Sequence, residues 1–504
     1  MPKNLLSRFF FLFLMLTIQH LMAQEGYKVE ILNAKSLKAG KTADHQKLVG
    51  SVILQQGEAK LFCDSAEINQ LNNDFDAWGN VFINKGDSIK AWGDSLHYFG
   101  TTERGKLMSR ARLRKGNTFL TTDVLYMDQK RDIFYYLSSA IITMDQTVIT
   151  SKKGYYFNAT SKITFKDSVV VKDPEYTIIA DTLDYYSSTE KVVFQGPTNI
   201  ITEQDSIYCE RGFYNPDTKI AEFRQNARVA SEENILYGDS IWVEELNGIS
   251  RAYQNVILLD TANKIKITGH FAFFDQNNNS SIVTDSAIFI QELDDDTLYM
   301  HGDTIRAIED STEIKSFYVH YGVRMYKNDM QAVCDSMTYS FKDSLIRLFR
   351  DPIVWNGKSQ LTGDSIKILT YDNKVHRLFI DGKSFIISES DSVYLLYDQI
   401  KGRKMIGYFL EGKLTTMDVN GNGQTIYYAK EEDGSYSGVN KADCSNIRIR
   451  FANNEIDEIV FLTLPEASFF PLNQFPEKDA KLDGFLWEIG RRPQSREDLF
   501  RTSN

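Results

Sequence analysis

The chain has 504 residues, 42% of them apolar and 12% aromatic, with 68 acidic against 57 basic side chains and a formal net charge of −11. That acidic balance argues against a general binder of nucleic acid or of anionic membrane surfaces, because such affinity rests on Lys and Arg at phosphates.

The first element is a leader. Lys3 and Arg8 precede the apolar run Phe9 to Ile18, and Leu21-Met22-Ala23 follow. A basic segment, a short apolar core and a small residue at the cut predict a secretory signal peptide over residues 1–23. The apolar run falls short of the roughly 20 residues that span a bilayer, although an uncleaved anchor stays open as an alternative. No Cys follows the cut, which argues against a lipoprotein. Cleavage near Ala23 removes two basic residues and no acidic ones, taking the charge from −11 to −13.

From there a unit of about 29 residues repeats. Its mark is a small residue, an Asp, a Ser or Thr and an apolar residue: Cys63-Asp64-Ser65, Gly93-Asp94-Ser95-Leu96, Thr122-Asp123-Val124-Leu125 and Ala180-Asp181-Thr182-Leu183. It returns at Gly238-Asp239-Ser240, Gly302-Asp303-Thr304, Cys334-Asp335-Ser336 and Gly363-Asp364-Ser365, with Lys152, Glu210 and His270 in intervening slots. A fixed period of this size implies stacked structural units rather than one enzyme-like globule.

Each unit reads as two β arms. Tyr176 to Tyr186 alternates and is rich in β-branched and aromatic residues, breaks at Ser187-Ser188, and is followed by Lys191 to Ile201. The second arm has its own interruption, seen in Trp78-Gly79-Asn80-Val81, Phe165-Lys166-Asp167-Ser168-Val169, Tyr253-Gln254-Asn255-Val256 and Phe349-Arg350-Asp351-Pro352-Ile353. Both interruptions predict corners where strands bend or bulge. In Trp92, Asp94, Leu96 and Tyr98 the Asp shares parity with apolar neighbours, so a straight strand would aim it inward. Either a bulge or a wet corner resolves that conflict.

Other residue types read as structure. Cys63, Cys209, Cys334 and Cys444 occupy the slot that other units fill with Gly, Ala or Thr, which predicts small buried thiols rather than disulfides. No Pro lies between Lys3 and Asp173, and four of the nine fall between Pro465 and Pro493, which marks the end of continuous strand pairing. The seven His show no ligand spacing with Cys or each other, and no metal or cofactor is expected. Asp418-Val-Asn420-Gly-Asn422-Gly423 faintly resembles a calcium loop, but Ala429 stands where a Glu is needed, so a strand-connecting turn is expected. An Asp in nearly every unit suits a repeated corner better than the single carboxylate pair of a glycosidase. Arg110, Arg112 and Arg114 alternate on one strand and are candidate contacts for lipid head-group phosphates or an acidic partner, against the plainer reading of a solvated face.

The signal peptide, the Gly/Ala-Asp-Ser/Thr arm and the Trp-Gly-Asn-Val arm resemble the OstA-like proteins, related to LptA and to the periplasmic domain of LptD. The resemblance covers roughly residues 27 to 464, and Leu482 to Trp487 with Arg491-Arg492-Pro493 is similar to the end of large OstA-like proteins. It implies an all-β, elongated, open two-sheet β-jellyroll of about 13 stacked units over residues 24–464, in one or two tandem pieces. Residues 465–504 then form a C-terminal tail. It also implies a non-enzymatic periplasmic protein, in some cases associated with the outer membrane. Such a protein shields lipopolysaccharide acyl chains and meets inner- and outer-membrane transport components, or itself, through end-strand addition. Trp92, Leu96, Tyr98, Ile179, Leu183 and Tyr185 are the candidate groove residues. The alternatives are an adhesive or structural β-solenoid with a closed core and, less favoured, a polysaccharide-active β-helix.

Overall fold

The repeating arms are β-strands, and each arm is a rung of its own. The computed structural model describes residues 28–501 except 43, 87–88, 294–295, 313, 373, 432 and 453–454. The leader expected over residues 1–23 lies outside them. Strands His45–Gln56, Ala59–Asn69, Asp74–Lys85, Ile89–Phe99, Arg104–Lys115 and Thr118–Asp128 pair antiparallel, each with the next. Among the described residues there is no α-helix, only short 3-10 turns. The chain divides into two compact units, one ending at Asp217 and one starting at Thr218.

The register slips once near the middle of each of these pairs. Val49 faces Ser65 and Val52 faces Cys63, so Gly50 and Ser51 stand against Asp64 alone. Both extra residues are left-handed, with φ of +83° and +49°. A two-against-one bulge of this kind bends the strand sharply. The same left-handed pair recurs at Gly79-Asn80, Ser109-Arg110, Asp167-Ser168, Gln225-Asn226, Gln254-Asn255, Arg350-Asp351 and Gly382-Lys383. The corners therefore fall at the second-arm interruptions read from sequence.

Bending at every corner folds each strand into two layers. On one side Leu48, Ala66, Ala77, Leu96, Leu107 and Leu125 follow one another across the rungs. On the other side Leu54, Leu61, Ile83, Ala91, Leu113 and Leu120 do the same. Both rows belong to one apolar cluster, so the half-sheets pack face to face as a stacked antiparallel jellyroll. Burial of such alternating rows is the main favourable term, at about 25 cal/mol per Å² of apolar surface.

The second unit follows the same plan. Strands Ile220–Ala230, Asn234–Glu244, Ile249–Asp260 and Ile265–Asp275 are continuous through their corners, and Ser280–Thr284 and Ile288–Glu292 are one arm split at its corner. Its later strands lengthen, Lys374–Asp391 and Lys413–Lys430 to 18 residues each. Two expectations need correction. Pairing does not stop at residue 464, because Glu466–Phe470 adds to Tyr436–Ala452. Asp418 to Gly423 is no connecting turn: it lies inside Lys413–Lys430, where Gly421 and Asn422 (φ +77° and +51°) form a corner. Asp418 there accepts two hydrogen bonds from Arg448, at 2.6 and 3.0 Å.

Candidate functional site

Three features could meet a ligand: the space between the layers, the outer face of the half-sheets, and the row of corners. The corners are structural. The small residue before each Asp points at the neighbouring rung, so a Cβ on Gly93 would come 2.7 Å from Leu107 Cδ1, and one on Gly302 would come 2.6 Å from Val319 Cγ1. Cys63, Cys209, Cys334 and Cys444 are all buried in this row and form no disulfide. Burial pushes the thiols up, Cys63 to about 11 and Cys209 and Cys334 to about 12, far from the thiolate that reactivity requires.

The following Asp turns outward and ties down the next rung. Asn80 Nδ2 donates to Asp64 at 2.9 Å, Asn255 Nδ2 to Asp239 at 3.0 Å, and Arg350 Nη1 to Asp335 at 3.0 Å. The parity conflict is thus resolved at the bulge, where two residues of the neighbouring rung stand against the single Asp and the Asp-bearing strand turns its faces over. Leu96 and Tyr98 lie beyond that corner and face the core, 3% and 2% exposed. Trp92 lies before it and stands on the opposite face from buried Ala91. The same holds at Asp181: Leu183 is 2% exposed and Tyr185 half-buried, whereas Ile179 is 46% exposed on the outer face. Trp92 and Ile179 therefore do not line the interior with the other four candidates.

The interior itself is filled by the protein's own side chains along the first unit. In the second unit the edge away from the corners is less complete. A cavity of about 340 Å³ lies where Leu258, Ile265 and Ile267 of one half-sheet approach Phe274, Ile308 and Phe317 of the other. A second, of about 200 Å³, is lined by Leu298, Met325, Tyr339, Ile346 and Ile368. We call this edge the mouth. A polar clasp from Lys315 to Asp260 crosses it, and the matching edge of the first unit is crossed by Lys115 to Tyr156 and by Gln56 Nε2 to the Tyr98 hydroxyl at 2.9 Å. Burial works against the Asp260 carboxylate, but hydrogen bonds from Lys315 and Asn263 outweigh it and hold the group below the usual carboxylate range.

The three arginines part company. Arg110 is the second corner residue (φ +54°) and forks onto Asp94 at 2.6 and 3.1 Å. Arg112 stacks over Trp92 at 6.0 Å and Arg114 over Phe119 at 5.0 Å, both on the outer face. Only these two remain without a carboxylate partner among the described residues.

A C-terminal tail was expected over residues 465–504, but neither its packing nor the clasps were. The tail runs along the outer face of the second unit. Gln399 Nε2 donates to Ala480 O and its Oε1 accepts from Leu482 N, both at 2.8 Å. Gln360 grips Leu486 O and Glu488 N in the same way, at 2.7 and 2.8 Å. Gln331 Oε1 accepts from Arg492 Nε at 2.7 Å. Each Gln sits four residues before the corner slot of its arm, a signal visible only when the repeats are laid over one another.

Residues 26–181 and 176–239 match the model of the OstA-like proteins. Over these residues, somewhat less than half of its length, the chain is similar to the OstA-like proteins. Among solved structures, LptH from Pseudomonas aeruginosa is similar. That structure is described as the LptA homologous periplasmic component of the conserved lipopolysaccharide transport device. The likeness is 16% identity over 23% of this chain and 82% of that one, with a TM-score of 0.21. No curated protein matches. No described helix is long and apolar enough to cross a membrane.

Proposed function

We propose that this OstA-like chain is a non-enzymatic protein of the lipopolysaccharide-transport type, exported to the periplasm, that takes acyl chains between its two layers. The observation that carries the reading is the mouth of the second unit, where two cavities with an apolar lining and a polar, charged rim open between half-sheets built on the OstA-like plan. Acyl chains crossing water need a large apolar area covered, at about 25 cal/mol per Å², and successive rungs offer such cover without any chemistry. Leu96, Tyr98, Leu183 and Tyr185 are the interior residues such a chain would meet once the layers part. Arg112 and Arg114 remain candidates for head-group or partner contacts. Edge strands supply the means of assembly: Glu30–Asn33 and Ser36–Ala39 pair only with His45–Gln56 among the described residues, leaving backbone groups for strand addition.

A second reading, a closed structural β-solenoid, draws on the dense packing of Leu96, Tyr98 and Leu183. One experiment separates the two. A photoreactive residue replaces Phe274, Ile308 or Leu183, with exposed Ile179 as control, and the purified chain is irradiated with lipopolysaccharide. Adducts at the first three sites and none at Ile179 support transport. Adducts at none of them, on a folded chain, favour the solenoid.

A further inference from the structure

The outer face that the tail covers in the second unit is uncovered in the first. Where the tail lies, consecutive residues are buried on both faces of the sheet, as in Ile353-Val354-Trp355 and Phe385-Ile386-Ile387. Tyr397 stacks there against Phe485 and Trp487, at 5.5 and 5.3 Å between ring centres. The corresponding face of the first unit carries a ladder of rings, Phe62 on Phe82 at 5.7 Å and Phe82 on Trp92 at 5.3 Å. Exposed Phe119 and Ile141 continue it on neighbouring rungs. No tail segment of the described chain packs over these rings; only Arg112 lies over Trp92 and Arg114 over Phe119.

The polar positions differ between the two faces. The slot that holds Gln331, Gln360 and Gln399 under the tail holds Lys60 and Lys90 in the first unit. Arg114 pairs with Lys90 across the rungs, and Arg112 with Trp92. Asp94, at the corner beside Arg112, is taken up by the fork from Arg110, and none of the four cations makes a salt bridge among the described residues. Such a cluster stands out on a chain of net charge −11. Where the second unit carries a neutral, amide-reading row, the first carries a cationic one beside its own ladder of rings.

We infer that this face docks an acidic, aromatic-bearing peptide segment of a partner protein. Its rings occupy the floor as Phe485 and Trp487 do in the second unit, and its carboxylates meet Lys60, Lys90, Arg112 and Arg114. The docking chemistry is taken from the tail, and the charge sign from the cations. The inference is independent of the acyl-chain reading, because this face lies outside the two layers.

The test uses the full chain and a fluorescein-labelled peptide of alternating Glu and Phe, read by anisotropy, beside co-sedimentation with phosphatidylglycerol vesicles. The expected result is micromolar peptide binding that weakens with salt and falls about tenfold or more in Lys60→Glu/Lys90→Glu/Arg112→Glu. Vesicles should not sediment the chain. If the triple variant melts early, Arg112→Glu alone, at an exposed position, should weaken the peptide severalfold. No binding, binding indifferent to these substitutions, or sedimentation with vesicles in place of peptide binding overturns the inference; the last outcome assigns the face to a lipid surface.

Discussion

Asp94 accepts a forked pair of hydrogen bonds from Arg110, at 2.6 and 3.1 Å, across the corner between consecutive rungs. The guanidinium hydrogen bond holds the Asp94 carboxyl below the usual carboxylate range. A depressed carboxylate contributes stability that is present above its unfolded pKa, about 3.9, and is lost as pH falls through the lower folded value. Asp94→Asn should therefore melt slightly below the parent chain at pH 7, and the two curves should converge as the pH falls through the lowered folded value. The pair is solvent-exposed, so the gap should also narrow in salt. A gap that persists unchanged at pH 2 would show that the corner gains nothing from the charge.

The glycines at the corners are held by space as well as by dihedral angle. Gly382 has φ +71°, and a Cβ there would lie 2.2 Å from Asp364 Oδ2; Gly79, at φ +76°, would bring one 2.4 Å from Asp64 Oδ2. Gly382→Ala and Gly79→Ala should each cost about 1–3 kcal/mol. Thermal unfolding should register this as a loss of several degrees. Gly412, with φ +77° but open space around it, should lose less on the same change. Equal losses at all three sites would remove the steric part of the account.

Burial of the thiols makes a chemical prediction. Cys63, Cys209, Cys334 and Cys444 should be inert to a thiol reagent at pH 8 in the folded chain and should all react in guanidinium. Cys63, pushed up to about 11, should lead when pH is raised, ahead of Cys209 and Cys334 at about 12. A fast thiol in the native state, or fewer than four thiols after unfolding without reductant, would contradict the packing described for this row.

Much of the fold could be read in advance because the corner chemistry repeats. Gly79-Asn80 and Gln254-Asn255 carry residues that tolerate the left-handed region, and their spacing located the bends before any coordinates. What could not be read was parity across the bend. Alternation predicts faces only along an unbroken strand, so the corner at Asp94 or Asp181, where the neighbouring rung carries one extra residue, sent Trp92 and Ile179 to the other side. The tail was opaque for a different reason. Its contacts join Gln360 to Leu486 and Gln399 to Ala480, separations of 126 and 81 residues that no local pattern encodes. The clasp from Lys115 to Tyr156 is likewise a long-range contact.

The Gln row makes the tail testable as a structural layer. Gln360→Ala removes both hydrogen bonds to Leu486 and Glu488 from a buried site and should cost about 1–3 kcal/mol. Gln360→Ala/Gln399→Ala should go further and release the segment around Trp487, and trypsin should then cut after Lys481 and Arg491 well before the strands. Trp355, fully buried beneath this layer, should become quenchable at the same time. If the double variant keeps its tail protected, the glutamines do not hold it.

The clasp between Lys315 and Asp260 joins the two layers across the mouth, beside the cavity lined by Leu258, Phe274 and Phe317. Breaking a buried pair one-sidedly leaves an uncompensated charge, so Lys315→Met should destabilise the second unit by about 2–4 kcal/mol. The asymmetric penalty falls on Asp260, whose carboxyl loses the bond that keeps it ionised, and its pKa should rise above the ordinary carboxylate value. Lys315→Met/Asp260→Leu removes both charges and should recover most of the lost stability. If acyl chains enter here, the double variant should also take up a fluorescent fatty-acyl probe faster than the parent chain, because no polar contact then has to break before the layers part. Uptake equal to that of the parent, in a double variant that has regained its stability, would mean that the clasp holds the layers together but does not control entry.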